Sequence, residues 1–335
     1  MQEKEKKITT LDDVARELGV SKTTVSRAIS GKGRISRETR EKVQRFVEEH
    51  DYRPSAVAKG LAQKKTYNLG LILPGDYKAT EFPFFRDCMN GICEVASDND
   101  YDILISMVNG EDLSQIQRMV INRKVDGMIL SRAVEKSAAQ KYLKENGVPF
   151  VVIGPNEDPD TVSVDNENRE ACEELTEIIL MKGIHRIALL GGRESYGVTR
   201  SRYQGFLEAH KKLGIQAEKS LIMMNIDNRI QAGKAVERAL EARAGGILCM
   251  DDFICDLTLQ CLRERQIQIP KELKIASFYE SDRLEYNHPP ITGIRFDTIR
   301  LGKNACRKLL RLLGENPEEE EQPSGYQVIL RESTK

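Results

Sequence analysis

The segment SKTTVSRAIS, residues 21–30, spaces Lys22, Thr23, Ser26 and Arg27 so that they share one face of a helix, with Val25, Ala28 and Ile29 on the other. Those four side chains have the chemistry that a DNA groove asks for. Arg27 can fork onto the O6 and N7 of guanine, Lys22 can donate to that edge or to a phosphate, and Thr23 can bond a base edge or touch a thymine methyl. Ser21 and the N-terminus of the helix it opens would take a phosphate. A small three-helix bundle with an ordinary polar exterior would show the same alternation, so the surrounding elements have to decide.

Those elements are legible on both sides. Leu11, Val14, Ala15 and Leu18 fall at i, i+3, i+4 and i+7, with Thr10 and Asp13 spaced as an N-terminal cap and Gly19 closing the helix. Ser21 is an N-cap for the second helix; Ser36 opens a third, whose stripe is Val43, Phe46 and Val47. Two helices joined by a short Gly-containing turn and braced by a third predict a helix-turn-helix whose second helix faces the major groove.

Charge supports this. The chain of 335 residues has a net charge of −1, yet residues 1–65 carry 16 Lys and Arg against 10 Asp and Glu, leaving 35 against 42 in the rest. A basic head on an acidic body is what a segment facing phosphates requires, although a solvated charged face gives the same count. Hydrophobic residues make up 40% and charged residues 31%, and no apolar run reaches the ~18–20 residues that span a bilayer. MQEKEKK at the start leads into no apolar signal region, so the expectation is a cytoplasmic protein without a membrane partner. Seven scattered cysteines, without C-x-x-C, are expected as buried thiols; Cys249, Cys255 and Cys261 match no metal-ligand spacing.

From Tyr67 onward, short apolar runs alternate with helical patterns: NLGLILP, YDILISM, DGMILS, VPFVVIG, RIALLGG, LIMMN, GGILCM and KIASFY. Alternation on this scale predicts a doubly wound α/β fold with parallel sheets. The strands are too many for one sheet, and NEDPDTVSVDNENRE reads as a crossing between two halves. The chain has no G-x-x-x-x-G-K-[ST], no strand-anchored G-x-G-x-x-G, no H-E-x-x-H and no G-x-S-x-G. LLGGRES could mimic a phosphate loop, but a strand-to-helix turn uses Gly anyway. His50, His185, His210 and His288 are too dispersed to suggest a cluster, and surface or capping roles are expected for them. Neither cofactor nor metal is expected.

TLDDVARELGVSKTTVSRAISGKGRISRETREKV followed by YRPSAVAKGLAQKKT resembles the lactose/galactose/purine repressor family of bacterial transcription regulators. The resemblance implies that Lys22, Thr23 and Arg27 read bases, that Ser26 and Arg34 lie near the DNA backbone, and that Thr10, Ser21 and Thr24 complete the DNA-facing set of the head. It also implies a hinge in which Leu61 wedges into the minor groove, with Ser55, Ala58 and Lys59 beside it. Residues 55–61 allow one or two helical turns, below the ~12–15 residues at which an isolated helix holds, and Gly60 weakens them by a further ~1 kcal/mol. The segment is therefore expected to form a helix only with a partner hinge and DNA; a plain linker is the alternative. The implied organisation is a helix-turn-helix head (1–53), a hinge (54–65) and a two-lobed effector-binding and dimerisation body (66–335).

Over the body the resemblance is to a periplasmic sugar-binding protein, with further crossings near residues 289–296 and near Gly325. SRYQGFLEA matches the family's Arg-x-x-Gly-Phe-x-x-Ala and puts Arg202 at the cleft, as a guanidinium fork for hydroxyls or a carboxylate. In PGDYKATEFPFFRD, Phe84 or Phe85 could stack a ring, and either could equally belong to the core. GGILCMDDFICD places Asp251 towards ligand and Asp252 at a helix start, where many members have Asn-Asp. In IASFYESD, Tyr279 stands where many members carry an aspartate; VILRESTK resembles the closing strand. The expected function is a dimeric repressor of carbohydrate-utilisation genes that binds double-stranded operator DNA and a small effector, a sugar or sugar derivative. The alternatives are a sugar-phosphate-converting enzyme fused to a DNA-binding head and a ligand-blind architectural DNA protein.

Overall fold

In the head, three short helices survive because each buries a stripe that none could bury alone. In the computed structural model, which describes residues 10–30, 33–50, 60, 63–75, 83–109, 112–156, 158–317 and 322–335, the chain divides into two units, residues 1–66 and 67–335. The first contains α1 (Leu11–Leu18), α2 (Lys22–Ser30) and α3 (Arg37–Glu49). Val14, Ala15, Val25, Ala28 and Val43 are buried where they meet, with Leu11, Leu18, Ile29, Phe46 and Val47 packed around them. The ends are capped as their residue types demand. Thr10 and Asp13 form a reciprocal capping box on α1, and the Ser21 and Ser36 hydroxyls accept from the Thr24 and Thr39 amides at 3.1 Å. Lys42 Nζ donates to the Leu18 carbonyl at 3.4 Å, giving the C-terminus of α1 a positive partner.

The second unit opens with β1 (Asn68–Pro74), α4 (Pro83–Asp98), β2 (Asp102–Val108), α5 (Ser114–Ile121), β3 (Gly127–Leu130), α6 (Ala138–Glu145), β4 (Phe150–Ile153) and β5 (Ser163–Val164). The strands form one parallel sheet in the order β2-β1-β3-β4-β5, with Leu69 of β1 in register with Ile103 and Gly127. Next come α7 (Asn168–Met181), β6 (Ile187–Leu190), α8 (Gly197–Lys212), β7 (Ile222–Met223), α9 (Arg229–Glu241), β8 (Gly246–Cys249), α10 (Asp252–Glu264), β9 (Lys274–Ser277), α11 (Asp282–Glu285) and β10 (Thr292–Phe296). The chain ends with α12 (Thr298–Leu312) and β11 (Tyr326–Ile329). This second sheet runs β11-β10-β9-β8-β6-β7, parallel except for β11, which pairs antiparallel with β10. Central strands such as GMIL, FVVI, IALL and GILC are buried throughout, because helices cover both faces of each sheet.

The lobes are not sequential. α12 leaves β10 and packs Leu301, Ala305, Leu309 and Leu310 into the first lobe, against Leu69, Leu71 and Ile92, before β11 returns to the second. The chain therefore passes between lobes after β5, after β10 and before β11. Two expectations need correcting. Cys93 is exposed while the other six cysteines are buried, and His210, expected in a surface or capping role, is buried in the last turn of α8 with Nδ1 2.9 Å from the Phe206 carbonyl. Burial pushes its pKa down.

Glu280, the residue after Tyr279, ties this end of the second sheet together. Its carboxylate, 3% exposed, meets Arg295 Nε at 2.7 Å and the Arg331 guanidinium, so β10 and the segment after β11 are tied to the end of β9. Without Glu280, Arg331, 12% exposed, keeps Glu285 at 3.4 Å as its carboxylate partner, while the half-exposed Arg295 is screened by solvent. Glu280→Ala is expected to lower the unfolding free energy by about 1–3 kcal/mol, read by urea denaturation, with Glu280→Gln retaining part of it.

Candidate DNA-facing helix and interlobe cleft

On α2, Lys22, Thr23, Ser26 and Arg27 are exposed and Val25 and Ala28 are buried, so the packing of the head fixes which face is turned outward. Lys22 Nζ rests 2.8 Å from Asp12 Oδ2, both side chains 58% exposed. Arg27 lays its stem over the backbone of Gly33: a Cβ there would stand 3.0 Å from Arg27 Cδ, and the φ of 92° is one that glycine accepts readily. Thr10, Ser21 and Arg34 are also exposed; Thr24 is half-buried, with its hydroxyl 2.8 Å from that of Ser21. Ser55, Ala58, Lys59 and Leu61 lie outside the described residues.

In the body, both sheets end at one cleft of about 150 Å³. Each sheet reverses its strand order beside its first strand, β1 or β6, and the lining residues follow strand carboxyl ends, the place where doubly wound sheets bind ligands. The first lobe contributes Phe84 and Phe85 from α4, Arg132 after β3, and Asp165 and Asn166 after β5. From the second come Tyr196, Thr199 and Arg202, then Asp251, Asp252 and Phe253 after β8, and Tyr279 after β9. Phe84, Phe85, Arg202, Asp251 and Tyr279, singled out in the sequence, are thus brought together. Arg132, Tyr196, Asp165 and Asn168 were missed: Arg132 lies just past the apolar run of β3, a signal that marks position but not contact, while β5 is too short to leave such a run ahead of Asp165 and Asn168.

Arg202, 7% exposed, does not present the open fork that its motif suggested. Its Nε donates to Asn168 Oδ1 at 2.9 Å, and Nη1 donates to the Met250 carbonyl. Asn168 Nδ2 in turn donates to Asp165 Oδ1 at 2.7 Å, which fixes the amide's orientation. Asp252 opens α10, as expected, and both aspartates line the cleft; Asp251 in addition caps that helix by accepting from the Ile254 amide at 2.8 Å. Burial raises the Asp251 pKa. Asp252 is pushed up to about 6, by burial first and by the Asp251 charge second. Phe84, in both lobes' core clusters, meets Tyr279 edge-on at 6.1 Å, while Phe85 is buried and also sits 5.4 Å from the Arg132 guanidinium. Burial, helped by the Asp252 charge, keeps the Tyr279 hydroxyl protonated.

Residues 10–55 match the family described as bacterial regulatory proteins, lacI family, and residues 176–334 match a periplasmic binding protein-like domain. The HTH-type transcriptional regulator MalR of Streptococcus pneumoniae is 30% identical over 313 residues, 92% of this chain and 93% of that protein. The chain belongs to the lacI family. Catabolite control protein A of Staphylococcus aureus is 29% identical over 318 residues, 94% of this chain and 95% of that protein. The structure of the lac repressor dimer bound to operator and the anti-inducer ONPF shares the fold, with a TM-score of 0.76 at 21% identity over 97% of this chain and 99% of that one. This LacI-family protein is a DNA-binding transcription regulator, and the alternative of an enzyme fused to a DNA-binding head falls away, since the family's members are regulators. No helix among the described residues is long and apolar enough to cross a membrane.

The aspartate pair gives the regulator a pH signature. Because Asp252 ionises near 6 in the fold against an ordinary 3.8, the folded state favours the protonated form. That stabilisation is fully present below about 3.8 and is lost as pH rises through about 6. Asp252→Asn is expected to match the parent in thermal midpoint near pH 4 and to exceed it by pH 7; parallel melting curves across that range check this.

Proposed function

We propose that two copies of this regulator bind a pseudo-palindromic operator, each presenting α2 to a major groove, and that a neutral carbohydrate held in the interlobe cleft controls the affinity. On this reading Arg27, Thr23 and Lys22 read base edges, while Thr10, Ser21, Ser26 and Arg34 approach phosphates and Thr24 keeps Ser21 in place. The connector carrying Ser55, Ala58, Lys59 and Leu61 enters the minor groove beside its partner; the match of residues 10–55 to the family supports its start.

The cleft carries the effector reading. Rings of Phe84, Phe85, Tyr196, Phe253 and Tyr279 offer flat apolar surface to sugar faces, and Asp251, Asp252 and Asn166 offer acceptors for hydroxyls. A phosphate would meet the two buried carboxylates, while Arg202 is engaged with Asn168 and Met250 and Arg132 lies on the ring of Tyr196. That balance favours an uncharged ligand. Closure of the lobes around it would shift operator affinity by the ~1–3 kcal/mol typical of allosteric coupling.

A thermal-shift screen over neutral mono- and disaccharides, their phosphates and purines tests the effector class. A neutral sugar at 100 times its Kd is expected to stabilise by ~2.7 kcal/mol; a response confined to phosphates or purines would overturn the assignment. For the head, Arg27→Ala is expected to cost ~1–3 kcal/mol on operator DNA, with relaxed preference at one base pair, read by fluorescence anisotropy. Equal loss on random DNA would contradict base reading by Arg27.

A further inference from the structure

We propose that Gly197 sets how far the two lobes close over the cleft, as the positioning residue of a latch between residues 132–135 of the first lobe and 193–197 of the second. The inference rests on reading the cleft as the effector site. The latch is made by main chain: the Glu135 amide donates to the Ser195 carbonyl at 2.8 Å, the Gly197 amide donates to the Ala133 carbonyl at 3.0 Å, and Val134 and Tyr196 form an antiparallel bridge. Arg200 reinforces it, with Nη1 3.4 Å from Glu135 Oε2 and 3.1 Å from the Glu194 carbonyl. At its inner edge the Arg132 guanidinium lies 4.3 Å from the centre of the Tyr196 ring.

Gly197 is the first residue of α8, so its amide has no partner within that helix and takes one from the opposite lobe. Its φ is not among the positive values of the chain, so backbone conformation does not call for glycine there. Space does. A Cβ on residue 197 would overlap the Pro155 carbonyl oxygen and stand 3.2 Å from Ala133 Cβ, and both of those residues belong to the first lobe. The obstructing oxygen is main chain at the end of β4, which cannot swing aside as a flexible side chain would. Any side chain at 197 therefore has to part the lobes where the latch forms.

Amide hydrogen exchange on the full-length chain, without sugar, tests this. Gly197→Ala and Gly197→Val are expected to speed exchange at the Glu135 amide about tenfold or more, because that group belongs to the other lobe and loses its acceptor when the lobes part. Arg200→Gln, which loosens the latch without a steric clash, is expected to give a smaller rise in the same segment. Faster exchange confined to residues 195–198, or parental rates at Glu135 in a folded Gly197→Ala protein, would overturn the latch. Circular dichroism establishes folding, and the alanine and Arg200→Gln variants keep the test decisive if the valine variant fails to fold. A failed latch with a positive sugar screen removes this inference alone; a failed screen with an intact latch removes the effector reading.

Discussion

A buried guanidinium cannot shed its proton, so the floor of the cleft has to be built around the acceptors that Arg202 demands. One donor is met by Asn168 at the start of α7, another by the main-chain carbonyl of Met250 at the end of β8, and Asp165 holds the Asn168 amide in the orientation that makes this work. Three segments distant in sequence are fixed together by one side chain. The same positive charge lowers the cost of the neighbouring aspartates, opposing the burial that raises both Asp251 and Asp252. The two carboxylates that line the cleft are thus tolerated because Arg202 and, at Asp251, Arg132 stand near them.

Tyr279 fits that electrostatic setting. A carboxylate at this position would place a third negative group beside Asp252, whose pKa already reflects repulsion from Asp251. The ring instead joins an aromatic run, edge-on to Phe84 at 6.1 Å and stacked near Phe296 at 6.2 Å. Burying a phenol with its proton on costs less than burying another charge, and the ring spans from the second lobe to an aromatic residue of the first.

What the sequence disclosed follows how local each signal is. The head was legible residue by residue, because Leu11, Val14, Ala15 and Leu18 make a helical stripe and Thr10, Ser21 and Ser36 cap helices without help from distant chain. The central strands were legible because sheets covered on both faces need unbroken apolar runs. β5, two residues long, leaves no such run. The return of α12 to the first lobe came from resemblance, since its amphipathic stripe would pack equally well on either sheet. At the site, chain position marked Arg202 and Asp251 as lining residues; the cap of Asp251 on Ile254, 3 residues on, is as local as those of the head, but the brace made by Arg202 depends on Asn168, 34 residues away, which only the fold brings into reach. Arg132 and Tyr196 escaped notice because what joins them is the meeting of two lobes.

On α2 the economy is the opposite, with the charge of Lys22 held loosely. An ion pair between two groups that are each 58% exposed is worth at most ~1 kcal/mol, so phosphate or guanine can draw Lys22 from Asp12 with little loss. Arg27 is positioned by its stem against Gly33, which orders the side chain while leaving the guanidinium to be used elsewhere. Ordering an arginine in advance reduces the rotamer entropy lost on binding, and a bidentate contact discriminates by ~1–3 kcal/mol only when both donors arrive together. On the proposed reading, a stem ordered by packing suits Arg27 to discriminating a base, and a loosely paired charge leaves Lys22 able to meet either a base edge or a phosphate.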